Sequence, residues 1–318
     1  MGKRDLHAEI TQAIIADMEK GVMPYERGWA AGSGGAALGM PMNAHTGKGY
    51  RGINILQLWA AGFRLGTDDL RFLTFKQALD LGGAVKKGER GFKVHFYKQW
   101  QVPGQPGQDG ETESDGRTIP FLREFTVFHV SQVEGCEGLK TWEGREATRL
   151  PDDTTEFCQL LGASVVHGGD KAFYMPSVDR VGMPYPQDFK TLEGYRATLY
   201  HELTHWTGHK ARCNRDFSGR FGNQAYAREE LIAELGGAFL CAEFGLPYTT
   251  RHASYLNSWL QVLKGDKRAI FQAASAAQKA VDWIREKLAG VEAVAAPVPV
   301  VAPLPVATPA QGELILAA

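Results

Sequence analysis

Residues 199–209, LYHELTHWTGH, decide how the rest of the chain is read. The stretch contains His201-Glu202-x-x-His205. On a helix, side chains four residues apart lie one above the other, so these two imidazoles point the same way and can hold one metal ion. Glu202 follows the first His, where its carboxylate reaches a water in the same site without being a ligand. Zinc lowers the pKa of a water it holds to about 7, and a carboxylate can then take the proton and pass it to a leaving amine. Short patterns of this kind also arise by chance on solvated helices, so the surroundings decide. Leu199, Leu203 and Trp206 recur at spacings of four and three, the apolar stripe of a packed helix.

An open zinc site needs a third protein ligand. Six residues after His205 stands Ala211, so a third His at that spacing is excluded, and His209 comes too early. The following stretch, YAREELIAELGGAFLC (residues 226–241), offers Glu229, Glu230 and Glu234. Glu230, Glu234 and Gly237 share one helical stripe, and Gly236 and Gly237 would let two helix backbones approach closely. On that ground Glu230 is the chosen ligand and Glu229 the alternative. Glu234 is a candidate partner for a ring N–H.

Working outward, the pattern predicts helices over residues 192–208 and 226–244 and further helices over 154–161, 253–264 and 266–288. A strand is expected at 163–166 and an extended piece at 172–183. Within that piece, residues 174–183 are the candidate edge strand against which an extended peptide would pair. Upstream, helices are expected over 5–20, 53–62 and 74–81, the last with Thr74 as N-cap. Strands are expected over 93–100 and 124–130. Residues 21–49 break into Gly, Pro and small residues. The polar segment VPGQPGQDGETESDGR (102–117) reads as a mobile loop. A domain boundary is expected at 135–149, and the Ala/Pro-rich residues 291–318 read as a flexible tail.

The composition is that of a globular chain: 318 residues, 44% hydrophobic and 22% charged. No apolar run is long enough for a membrane helix, and MGKRDLHAEI lacks the apolar core of a secretory signal. The four cysteines form no CxxC pair, which argues against a disulfide framework and a cysteine-type zinc site. A cytoplasmic location is the expectation. The net charge of −1 hides an asymmetry, because residues 1–100 carry 14 Lys and Arg against 9 Asp and Glu and the remainder is acidic. A basic first third suits a polyanionic partner.

The stretches MNAHTGKGYRGINILQLW, FKQALDLGGAVKKGERG, VFHVSQVEG, YHELTHWTGH and YAREELIAELGGAFL together resemble the ArdC antirestriction family of conjugative plasmids, from about residue 5 to about residue 285. The resemblance implies a single-stranded-DNA-binding N-terminal domain followed by a zincin-like, gluzincin-type metallopeptidase domain. It also implies protection of incoming DNA from host restriction. Similar N-terminal domains occur in plasmid primases. In gluzincin-like proteins the ligand helix reads ExxA followed by an acid or amide. That pattern falls on Glu230-Leu-Ile-Ala233-Glu234 and favours Glu230 over Glu229.

The expected fold is therefore α+β: a mixed helix and small-sheet N-terminal domain over 1–140, then the zincin-like domain over 150–290. Single-strand binding without sequence preference needs a basic track with aromatic faces. The candidates are Lys48, Tyr50, Arg51, Lys86, Lys87, Arg90, Lys93 and Trp100, with Trp29, Phe92 and Tyr97 nearby. The TGKG of residues 46–49 lacks the GxxxxGK[ST] spacing of a nucleotide-binding loop. His201, His205 and Glu230 are expected to hold Zn2+, with Mn2+ or another divalent cation as the alternative, and Glu202 to be catalytic. Expected partners are single-stranded DNA and a protein substrate, DNA-bound or part of the restriction machinery. Two other readings are a DNA-binding, restriction-blocking protein with a structural or vestigial metal site, and a primase accessory module.

Overall fold

A computed structural model describes residues 5–23, 25, 39–101, 118–136, 139, 154–217, 223–248 and 255–295. The N-terminal part starts with α1 (Leu6–Met18), whose N-cap Asp5 accepts from the Ala8 amide at 3.1 Å. Next come β1 (Met42–Asn43), α2 (Ile53–Leu65), β2 (Arg71–Thr74), α3 (Phe75–Asp80), β3 (Ala84–Val85), β4 (Phe92–Gln101), β5 (Thr118–His129) and β6 (Val133–Glu134). Thr74 caps α3 in a reciprocal box with Gln77. Helix α2 runs one turn past the expected end at Gly62. That glycine is inside the helix because a Cβ there would stand 2.4 Å from Leu70, and the left-handed residue that stops α2 is Gly66.

The main sheet has the order β1-β2-β5-β4, with β1 parallel to β2 and the other pairs antiparallel. β4 and β5 extend beyond the predicted strands as one long hairpin. Sequence reading overlooked β2, which is too short to show a pattern, and the β3–β6 pair. Asn54 of α2 ties the helix to β4 by exchanging hydrogen bonds with the His95 backbone at 2.7 and 2.8 Å. The predicted loop over 102–117, Trp29 and the tail beyond 295 lie outside the described residues.

The C-terminal part contains α4 (Thr154–Leu161), β7 (Ser164–His167), β8 (Phe173–Met175), β9 (Arg180–Met183), α5 (Leu192–Thr207), α6 (Gln224–Glu243), α7 (Leu256–Gly265) and α8 (Ala269–Ala295). The chain is thus α+β, with small sheets beside eight helices among the described residues. The piece expected as extended is a hairpin turning at Asp179 (φ 50°), with β9 central and β8 at an edge of the sheet β7-β9-β8. Helix α8 continues through residues 291–295, which the tail reading had included; the first proline that can stop it is Pro297. No described helix is long and apolar enough to cross a membrane.

One apolar core runs through both parts. Trp59 of α2 meets Phe239 of α6 edge to face at 5.5 Å, and Tyr25 meets Tyr248 at 5.4 Å. Thr11 of α1 donates to the Lys267 carbonyl at 2.7 Å, and Arg51 pairs with Asp282 of α8. The metal-motif helix α5 is therefore central, and nearly all of its second half is buried.

Candidate metal centre

Burying His201, Glu202 and His205 is costly unless each polar group has a partner. Helix α6 supplies those partners because it lies close against α5. A Cβ on Gly236 would stand 2.3 Å from the Thr204 side chain, and one on Gly237 would stand 3.3 Å from the His201 backbone nitrogen. This approach brings Glu230 between the two imidazoles. Its Oε2 is 3.7 Å from His201 Nε2 and its Oε1 is 3.5 Å from His205 Nε2. One ligand atom from each of His201, His205 and Glu230 lies within 4.8 Å of the others, and all three residues are buried. Two imidazole nitrogens and one carboxylate oxygen converging in this way suit a divalent cation with a position left open.

Glu229 faces the other side of His205. Its Oε1 is 3.1 Å from His205 Nδ1, which leaves Nε2 aimed at the centre. Arg215 grips Glu229 at 2.8 and 3.0 Å and donates to the Thr204 carbonyl at 2.6 Å, closing the C-terminal end of α5. Two adjacent glutamates of α6 thus serve the two nitrogens of one imidazole. Glu234, proposed for a ring N–H, is fully buried and accepts from the Tyr248 hydroxyl.

The electrostatics favour a cation. Burial alone would lower the His205 pKa, but the Glu229 hydrogen bond and the charges of Glu229, Glu202 and Glu230 push it up to about 9. Burial would raise Glu230, yet His201, His205 and Tyr226 hold it at about 2. Tyr226, one turn before Glu230 on α6, bonds that carboxylate and also lies 3.1 Å, hydroxyl to hydroxyl, from Tyr255. Arg215, Tyr226 and Tyr255 were absent from the sequence reading. Tyr226 carried a legible signal, since it stands four residues before Glu230.

An outer carboxylate that orients a ligand imidazole is worth about 10–100-fold in metal affinity. Glu229→Gln and Arg215→Ala should each weaken the metal by that factor, measured by chelator competition. Unchanged affinity in both would remove the orienting role.

The nucleic-acid candidates separate by exposure. Lys48, Lys86, Lys87 and Arg90 are exposed, with Lys86 donating to the Ser131 carbonyl. Arg51 and Lys93 are exposed but engaged, with Asp282 and with Glu124 at 3.0 Å. Tyr50 is a correction: it is 8% exposed, with its hydroxyl in contact with Asn43, and offers no stacking face. Trp100 lies on β4. Sequence reading passed over Phe96, 57% exposed on β4, which meets Phe125 at 5.5 Å beside Arg123.

The sequence profile of a zincin-like metallopeptidase family matches residues 152–276, and that of the N-terminal domain of anti-restriction factor ArdC matches residues 4–128. A Sinorhizobium fredii protein described only as uncharacterized is 40% identical over 88% of this chain and 91% of its own length. Two Escherichia coli proteins named DNA primase TraC are 33% and 34% identical over 89% of this chain, which spans only 20% and 27% of their lengths. Among solved structures, the metal-free antirestriction protein ArdC of plasmid R388 is 38% identical, with TM-score 0.74, covering 90% of this chain and 99% of that one. Its Mn(II)-bound form is 36% identical, with TM-score 0.72 and the same coverage.

Proposed function

Because the chain belongs to the ArdC antirestriction family, we propose that it binds single-stranded DNA and carries a working metallopeptidase site, and that it protects incoming DNA from host restriction. Residues 1–140 are assigned the DNA and residues 150–290 the peptidase chemistry. The observation that carries the reading is the convergence of His201, His205 and Glu230 on one buried point, with Glu202 beside them on α5. These three would hold the cation, Zn2+ or Mn2+. When bound, such a cation polarises a carbonyl and acidifies water.

The rest of the chemistry belongs to the chain. Glu202 takes a proton from water as its oxygen attacks the peptide carbonyl carbon. Glu202 then returns that proton to the amine as the C–N bond breaks, so water supplies every atom added. Edge strand β8 is the proposed rail for the extended peptide. Buried ligands held by Arg215 and Glu229 favour this reading over a vestigial site, and a structural site has no need of Glu202.

For DNA, the exposed cations Lys48, Lys86, Lys87 and Arg90 supply phosphate contacts, and Phe96 supplies a stacking face. Affinity should fall with salt at a log–log slope of about −0.7 per phosphate contact. Replacing Lys86, Lys87 and Arg90 together with Ala should flatten that slope and weaken binding without loss of metal. A slope identical to wild type removes this basic turn from the interface. Metal content together with proteolysis of a DNA-bound protein, with and without single strands, tests the whole reading. Tethering raises the effective concentration of substrate, so cleavage should depend on DNA.

A further inference from the structure

Arg51 stands in the basic N-terminal part, yet its guanidinium reaches across to α8. Its Nη1 donates to Asp282 Oδ1 at 3.2 Å and its Nη2 to Asp282 Oδ2, a two-pronged pair between residues far apart in the chain. The arginine side chain is 59% exposed and the aspartate 22%, so water and ions reach the pair. An ion pair in that setting is weak, because solvent screens it and holding the side chains together costs entropy. The backbone on either side of Arg51 is fixed without it. Tyr50 is buried and its amide donates to the Pro41 carbonyl at 2.8 Å, while the Gly52 amide donates to Gln278 Oε1 at 3.2 Å. Asp282 also has a second donor, since Gln278 Nε2, one turn earlier on α8, stands 3.2 Å from its Oδ1. When the guanidinium turns away, neither the loop nor the carboxylate is left without support. Carboxylate and phosphate both offer a pair of oxygens to a guanidinium fork, so one replaces the other in the same geometry. Exposed Lys48 lies three residues before Arg51.

We propose that Asp282 is a built-in competitor of single-stranded DNA: it holds Arg51 in the free protein, and a DNA phosphate takes its place on the guanidinium when a strand binds. The exchange rests on the single-strand reading and deepens it, adding Arg51 to the phosphate contacts and naming the internal anion that a strand displaces. Lys93 differs, because its partner Glu124 lies on the neighbouring strand of its own sheet. The Arg51 pair instead joins the part assigned to DNA to α8, so an entering strand loosens a contact between the two parts.

The test titrates the full chain into a fluorescein-labelled oligothymidylate, followed by anisotropy over a series of salt concentrations. Arg51→Ala should weaken binding and reduce the log–log salt slope by about 0.7, the share of one phosphate contact on a single strand. Asp282→Asn keeps the size of the side chain and should tighten binding about two- to fivefold at low salt, the range that an exposed ion pair commands. In the Arg51→Ala background the same Asp282→Asn change should leave affinity unaltered, because no guanidinium remains to compete for. Equal tightening in both backgrounds overturns the exchange, since Asp282 would then act only through its charge on the surface as a whole. So does unchanged or weaker binding by Asp282→Asn, or a salt slope in Arg51→Ala equal to that of wild type; either makes the pair a clamp between the two parts. If wild type fails to bind the oligothymidylate even at the lowest salt, the single-strand reading falls together with this one.

Discussion

Glu202→Gln is expected to retain its divalent cation and its affinity for single-stranded DNA while losing proteolysis by about 10²–10⁴-fold, the range that a positioned acid–base group supplies. The reason is positional. Glu202 is adjacent to His201 on α5, whereas the proposed ligand set is completed by Glu230 from α6. His201→Ala should instead lose most of the metal, because no other described carboxylate or imidazole joins that cluster. Elemental analysis separates the two variants. If Glu202→Gln loses metal as completely as His201→Ala, the base assignment is wrong. The same variant decides between proteolysis and coating as the source of protection. Transfer of unmodified DNA into a restricting host should fail with Glu202→Gln if protection is proteolytic. Full protection by that variant would make protection a property of DNA binding alone.

Trp59→Ala is expected to cost about 3–5 kcal/mol, as large-to-small changes at buried aromatics do. That is a large share of the roughly 5–15 kcal/mol by which folded chains are stable. Trp59 belongs to the N-terminal part, yet its ring packs on Phe239 of α6, the helix that carries Glu229 and Glu230. Its indole nitrogen donates to the Gly39 carbonyl at 2.9 Å, so the substitution also removes a hydrogen bond. Since the core is continuous, the N-terminal sheet and the metal centre should melt together and at a lower temperature. Near-ultraviolet circular dichroism and metal release, followed on one sample, should give coincident transitions. Two separated transitions, with metal release unmoved by Trp59→Ala, would show that the parts fold independently.

Much of the fold was legible because it is local. Thr74 as a cap, α4 over residues 154–161 and the length of α5 depend on neighbours within a turn or two, and the letters carry that information. The pairing of His201 with His205 is legible for the same reason: a spacing of four on a helix fixes which side chains adjoin. The short strands β2, β3 and β6 were not legible, because two to four residues show no period and their hydrogen-bond partners are distant in sequence.

The tertiary structure decided what lies between elements. Glu229 and Glu230 are neighbours on one helix, and only the close approach of α6 to α5 at Gly236 and Gly237 turns one toward both Nε2 atoms and the other toward His205 Nδ1. Arg215 reaches Glu229 from a loop whose direction no local pattern encodes. Exposure likewise follows from packing, which buries Tyr50, pairs Arg51 with Asp282 and leaves Phe96 on the surface. The sequence by itself determined which residues are candidates for a metal and for peptide chemistry. Where each of them points was settled by packing, because direction depends on contacts far apart along the chain.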